Sequence, residues 1–228
     1  MGIPPREEAL TGKVAMDRDR GPEDRIAQER WDRVYQEVPL EEVPWEEGQP
    51  SPILVELVKQ GKVKKGAALD ICCGTGHNAL FLAQEGFQVA GIDISPTAIN
   101  YAQERCQQAG VSCQLASGNA TRLPYPDRSF DLVFDRGCFH HIPPSDRDAF
   151  IQGVHRVLKP GGKYQLICFS DKDRWAPQGF SREQIREYFS PLFQIESLEE
   201  STFREKGSRF QRHFYSALME KKVVHRDS

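Results

Sequence analysis

The sequence predicts a doubly wound α/β domain, and three observations carry that expectation. Beyond Pro52, short apolar runs alternate with helical patterns, which is how a parallel sheet covered on both faces reads. A glycine pair, Gly74 and Gly76, stands between the first apolar run and the helix after it. An acid, Asp93, closes the second run. In order, the chain reads as a helix over 53–60, a strand over 67–71, a helix over 78–85 and a strand over 88–92. Ser95 caps the next helix with Pro96 at its first position, where a missing amide hydrogen costs nothing and φ is already set. That helix runs to about Ala109, and strands follow over 111–116 and 130–135. Ser145 and Asp148 form a capping pair for a helix ending near Lys159, where Pro160, Gly161 and Gly162 stop it. A fifth strand spans 163–169, Ser181 with Gln184 caps a short helix, and two closing strands span 193–198 and 210–220. Arg204, Lys206 and Arg209 mark the solvated tip between those two.

Residues 1–25 are rich in charge, proline and glycine and poor in large apolar groups, which predicts a disordered tail. Residues 26–50 carry Trp31, Tyr35 and Trp45 among acids and prolines, a segment suited to lie across the domain as a cover. The folded domain then spans 51–222, with 223–228 a second tail.

Thirty basic and 33 acidic residues give a formal charge of -3, too balanced to hold a polyanion, so nucleic acid is not the expected partner. No apolar run approaches the roughly 20 residues of a membrane span, and the N-terminus lacks a secretory apolar centre. The expectation is a cytoplasmic protein, monomeric or weakly dimeric, with no membrane partner. The six cysteines, Cys72, Cys73, Cys106, Cys113, Cys138 and Cys168, lack C-x-x-C spacing and read as free thiols. His140 and His141 lack nearby acids or thiols at ligand spacing, so no metal is expected, although His140 could contact a reacting group.

The stretch from Leu69 to Ala79 places glycines where a side chain would keep a ligand from the backbone, and Asp93 can accept from two ribose hydroxyls. Together they indicate an adenosine-containing cofactor. Gly74, Gly76 and Ala79 also satisfy the dinucleotide fingerprint, so charge must separate the two classes. Asp70, just before the glycines, would oppose a pyrophosphate but suits an ammonium and a sulfonium. Asn119 and Ala120 follow the third strand, where an amide and a backbone N–H can meet adenine's edge, and Asp135 sits at the tip of the fourth.

On these residues the chain from Trp31 to Lys222 resembles the class I S-adenosylmethionine-dependent methyltransferases. Within them it resembles the thiopurine S-methyltransferase branch, which includes thiol, halide and tellurite-resistance methyltransferases. The closer resemblance rests on Val43-Pro44-Trp45-Glu46-Glu47-Gly48-Gln49-Pro50, Gly91-Ile92-Asp93-Ile94-Ser95 and Phe134-Asp135-Arg136-Gly137-Cys138-Phe139. It implies a seven-stranded, Rossmann-like, three-layer fold with the last strand antiparallel, S-adenosyl-L-methionine as cofactor, and an N-terminal segment over it. Transferred residue by residue, Gly74 and Gly76 would pass the cofactor's methionine moiety, Asp93 would hold its ribose, and Asn119 and Ala120 its adenine. Trp31, Trp45, Asp70, Cys72, Ile94 and Asp135 complete the expected cofactor site, and Asp135, Arg136 and His140 are expected to serve the transfer, although thiopurine methyltransferase itself lacks the His140-His141 pair. Arg136 would face the acceptor, a small molecule with a thiol or other soft anionic nucleophile. The family more often has Gly at Cys72 and Asp at Asn119. An N or O acceptor on a small molecule or macromolecule, a dinucleotide oxidoreductase, and a non-catalytic cofactor-binding module are the alternative readings.

Overall fold

The computed structural model describes residues 21–204 and 211–223. Helix α1 (Pro22–Glu37) and a 3-10 turn (Leu40–Glu42) precede α2 (Pro52–Lys59). Then come β1 (Ala67–Ile71), α3 (His77–Gln84), β2 (Gln88–Asp93), α4 (Pro96–Gln108), β3 (Cys113–Ser117) and β4 (Phe130–Arg136). The chain finishes with α5 (Arg147–Val157), β5 (Leu158–Phe169), α6 (Arg182–Phe189), β6 (Phe193–Arg204) and β7 (Gln211–Lys221). The seven strands lie in the order β3-β2-β1-β4-β5-β7-β6; β7 runs antiparallel to both neighbours. Strand order reverses between β1 and β4, and a crevice opens beyond their carboxyl ends, the usual ligand position of such sheets.

Strand alternation builds the two helical layers. Leu69, Ile71 and Val133 face the core closed by Phe150, Val154, Ile185 and Phe189 of α5 and α6. Ala68, Leu132 and Phe134 face the opposite core, with Leu54 of α2, Leu82 of α3 and Ile99 of α4. All five residues of β1 are buried, as the central strand of a doubly covered sheet requires.

Several local expectations hold. Ser95 accepts from the Ala98 N–H at 3.0 Å, and Ser181 with Gln184 forms a complete capping box. Others need correction. The expected tail, 1–25, overlaps α1, which begins at Pro22 with that proline in its first turn; residues 1–20 lie outside the described residues. Ser145 and Asp148 do not cap α5, because Pro144 starts a separate 3-10 turn and Asp146 becomes the residue before the helix. The helix stops at Val157, and β5 begins at once, with the 159–162 stretch bulging out between the Phe130–Leu158 and Leu132–Lys163 pairs. Lys206 and Arg209 of the expected tip lie outside the described residues. The free-thiol expectation fails at two positions: Cys72 and Cys138 are joined in a disulfide. They follow β1 and β4, whose Ile71 and Asp135 pair, so the two exits emerge side by side. Cys73, Cys106, Cys113 and Cys168 are free.

Candidate active site

The crevice is a cavity of about 770 Å3, floored by the strand exits and roofed by α1 and the segment after it. Its glycine turn is held in left-handed backbone, with φ of 54° at Cys72, 52° at Gly74 and 83° at Gly76. A Cβ at Gly76 would lie 2.7 Å from the Cβ and 3.1 Å from the Cα of Ala102, so α4 itself forbids a side chain there. At Gly74 a Cβ would come 3.1 Å from the Tyr35 hydroxyl. Asp93, buried at the end of β2, accepts from the Gly74 N–H and the Ser95 N–H, each at 2.9 Å. Burial raises its pKa; the hydrogen bonds oppose that without cancelling it.

Asp70 and Asp135 lie beside the cavity without lining it. Burial pushes Asp70 up to about 8, helped by the nearby Asp93 and Asp135 charges, and its Oδ2 has no hydrogen-bond partner. Asp135 turns to the α5–α6 side, on the same face as Val133, where it accepts from Tyr164 and from the Cys138 N–H at 2.8 Å each. Burial raises it to about 7. The expected direct role for Asp135 gives way to bracing the β4 exit, because strand alternation aims it under the sheet.

Arg136 does line the cavity, but its guanidinium is engaged. It is ion-paired with Glu47 and donates to the Trp45 carbonyl at 3.2 Å, so the expected acceptor-facing group instead ties β4 to the roof. Glu46 binds the Thr75 hydroxyl and lies 2.7 Å from His77 Nε2. Against the raising effect of burial, His77 and Thr75 hold the Glu46 carboxyl below the usual range. Trp45 donates to Tyr35 at 2.9 Å, and Trp31 packs edge-on against both Trp45 and His141, with centroids 5.6 and 4.8 Å apart. Asp32 pins α1 to the start of α4, accepting from Ser95 Oγ at 2.6 Å and the Thr97 N–H at 2.9 Å. Gln28 donates to the Ile94 carbonyl at 3.0 Å. Of the residues that make these roof contacts the sequence pointed to Trp31, Tyr35 and Trp45 in the cover and to Arg136 and Ile94 beneath it. Asp32, Glu46, Glu47 and His77 were missed, although Glu46 and Glu47 stand within the segment that carried the resemblance.

His140 lines the cavity and is buried, and its Nδ1 accepts from the Phe169 N–H at 3.3 Å. Burial, then the neighbouring His141 and Arg212, drives its pKa well down, so the ring is neutral. With Nδ1 accepting, the single proton resides on Nε2, which makes His140 a donor and not a proton acceptor at that nitrogen. Burial and Arg30 lower His141 to about 4. Among the described residues no set of three or more His, Cys, Asp or Glu could hold a metal ion, and no helix is long and apolar enough to cross a membrane.

Residues 68–162 match the family described as Methyltransferase domain. The sequence is 30% identical over 173 residues to the 2-heptyl-1-hydroxyquinolin-4(1H)-one methyltransferase of Mycobacteroides abscessus, covering 74% of this chain and 76% of that one. The chain belongs to the S-adenosylmethionine-dependent methyltransferases. It is also 30% identical to probable thiol methyltransferase 2 of Arabidopsis thaliana over 132 residues, 58% of each chain. Its fold matches that of a Burkholderia thailandensis 1,6-didemethyltoxoflavin N1-methyltransferase solved with S-adenosylhomocysteine, at a TM-score of 0.70 and 18% identity over 90% of this chain and 92% of the other.

The methyltransferase's cofactor is S-adenosylmethionine, and the residues fit it. The cavity has room for a nucleoside-sized cofactor and a small acceptor together. The bare backbone at Gly74 and Gly76 permits close approach, and Asp93 offers carboxylate lone pairs beyond those its two amide donors use. Asp70 and Asp93 are buried acids at this end of the cavity, and an ammonium or sulfonium brought there would favour their ionised forms, whereas a pyrophosphate would oppose them. Ile94, Asn119 and Ala120 line the same wall, as do Cys72 and Cys138.

Proposed function

We propose that this methyltransferase acts on a small, ring-bearing apolar molecule whose nucleophile is a thiol or comparably soft anion. The observation that carries the reading is the far wall of the cavity. There Phe169 and Phe214 stack at 4.6 Å, Phe203 stacks on Phe214 at 4.8 Å, and His140, His141 and Trp31 complete an aromatic lining. Such walls bind flat apolar surface, which a halide or thiocyanate does not offer. The thiol methyltransferase relative supports a sulfur acceptor, and the quinolinone methyltransferase relative supports a ring.

In this reading Asp93 holds the ribose hydroxyls, the Asn119–Ala120 end takes adenine, and the cofactor supplies an electrophilic methyl on a sulfonium. The chain's own work is alignment and drying, which an in-line displacement mainly requires. Trp31 and Trp45 exclude water and present π-faces to a cation. His140 Nε2–H donates to the acceptor and orients it, while an already ionised thiolate needs no base. Arg136 and Glu46 secure the roof from either side. The segment 26–50 is a cover whose closure completes the chamber.

Turnover with labelled cofactor across aromatic thiols, aliphatic thiols, thiocyanate, halides, hydroxyquinolinones and amines tests the reading. Aromatic thiols should give the highest kcat/KM. Thiocyanate or halide outrunning every ring-bearing compound would overturn the apolar-ring assignment. Hydroxyquinolinones outrunning every thiol would move the acceptor atom to oxygen and leave the ring assignment standing.

A further inference from the structure

The adenine end of the cavity raises a question of hydrogen-bond supply. Adenine's recognition edge pairs one donor, the exocyclic 6-amine, with one acceptor, N1. Its complement is a donor beside an acceptor. The donor is at hand, because Ala120 lines the cavity and its N–H has no hydrogen-bond partner among the described residues. Asn119 was the expected acceptor, but its Oδ1 already takes two bonds, from the Thr121 N–H and the Thr121 hydroxyl, both at 2.8 Å. Two bonds use both lone pairs of an amide oxygen. The Asn119 amide nitrogen has also turned away from a free role, donating to Asp24 Oδ1 at 2.7 Å. The Asn119 side chain therefore has no acceptor left for a base.

Asp24 does. It stands on α1, 95 residues away in sequence, and lines the same end of the cavity. Its carboxylate is mostly buried, with a side chain 16% exposed, and is ion-paired with Arg122. Asn119 and Arg122 thus fix the orientation of an ionised carboxylate, and one hydrogen bond leaves Oδ1 with a further lone pair. Glu23, the neighbouring acid that also lines the cavity, is exposed.

We infer that Asp24 is the residue that reads the 6-amine of the cofactor's adenine, with Asn119 positioning Asp24 instead of touching the base. The inference rests on the proposed placement of adenine at the Asn119–Ala120 end. Its consequence is that base recognition and docking of α1 become one event, since the acceptor arrives only when the helix does. A nucleoside without the 6-amine loses a bond to a charged group and leaves one lone pair of the mostly buried Asp24 carboxylate without a donor.

The test uses calorimetric binding of S-adenosylhomocysteine and of its analogue with hydrogen in place of the 6-amine. That analogue keeps N1, so only the Asp24 contact differs. Wild type should prefer the amine by about tenfold or more, the range a hydrogen bond to a charged group supplies. Asp24→Ala should bring the two ligands within about twofold, and Asp24→Asn, which keeps an acceptor oxygen without charge, should fall between. A purely structural latch predicts otherwise: both variants would weaken both ligands by the same factor and keep the tenfold preference. That result would overturn the inference while leaving the adenine placement intact. A wild type that binds the two ligands equally would overturn the placement itself. Thermal melting of each variant separates loss of contact from loss of fold, and Asp24→Asn, nearly isosteric, keeps the comparison available if the alanine variant unfolds.

Discussion

Replacing Arg136 by lysine discriminates sharply between an acceptor-binding role and a bracing one. Arg136 and Glu47 are each 23% exposed, so their pair lies between the roughly 0–1 kcal/mol of surface ion pairs and the roughly 3–5 kcal/mol of breaking a buried one. The bond to the Trp45 carbonyl adds a second contact that only the forked guanidinium can make together with the first. Discounting for solvent, the lysine variant should lose about 1–2 kcal/mol of roof closure, which is roughly a 5- to 30-fold shift toward the open cover. Cofactor affinity should fall by a comparable factor. Tryptic cleavage at Arg30 and Arg33, measured with saturating S-adenosylhomocysteine, should speed up alongside. Glu47→Gln should reproduce both effects, and the double variant should be no worse than either alone, because the two residues form one contact. If Arg136→Lys instead kept cofactor affinity within about threefold and cleavage unchanged while kcat/KM fell for anionic acceptors only, Arg136 would face the acceptor and the bracing account would be wrong.

Asp93→Ala should cost more than the ribose contacts, because it also frees the Gly74 and Ser95 amides; at least a tenfold loss in cofactor binding by calorimetry is expected, and wild-type affinity would misplace β2 in the site. The raised acids predict a pH signature. Asp70 at about 8 and Asp135 at about 7 bind protons more tightly folded than unfolded, so cofactor-free protein should lose stability as pH rises from about 5 to 8, and a flat melting temperature over that window would contradict their protonation. A sulfonium nearby favours the ionised acid, so affinity for S-adenosylmethionine relative to S-adenosylhomocysteine, whose thioether carries no charge, should rise from pH 6 to 8, with proton release on binding. Alkylation of denatured, unreduced protein should label four of the six cysteines, and all six after reduction; six before reduction would exclude the Cys72–Cys138 bridge.

Short-range chemistry was legible in the sequence. The turn from Leu69 to Gly76, the Ser95-Pro96 start and the Ser181–Gln184 box all depend on residues within a few positions of each other, and each forms as its composition dictates. The roof was legible only as aromatic content. Its bonds join residues far apart, such as Glu46 with Thr75 and Arg136 with Glu47, and no local pattern encodes which acid meets which partner. Asp135 shows a different failure, one that period-two counting could have avoided: Leu132 and Phe134 share one face of β4, so Val133 and Asp135 must share the other. The disulfide needed the β1–β4 pairing, which the order of strands in sequence does not state.

The roof and the ribose acid are mechanically one assembly, and this bears on where specificity resides. Ser95 donates its N–H to Asp93 and its hydroxyl to Asp32, while Ile94, between Asp93 and Ser95, accepts from Gln28. Any ligand that draws on Asp93 therefore acts on the same three-residue loop that holds α1. Residues 68–162, the part matching the methyltransferase family, supply that loop and the glycine turn. The α1 helix and the strap through Ser51 lie outside the match, yet they provide Trp31, Trp45, Glu46 and Glu47 to the chamber. The ribose acid and the glycine turn thus sit on one stretch of chain and the roof, with Asp24 at its adenine end, on another, and Ser95 joins the two. A roof exchanged for that of a relative should change which acceptors enter while leaving the Asp93 contacts in place, provided Asp32, which meets Ser95, and Asp24, at the adenine end, are kept.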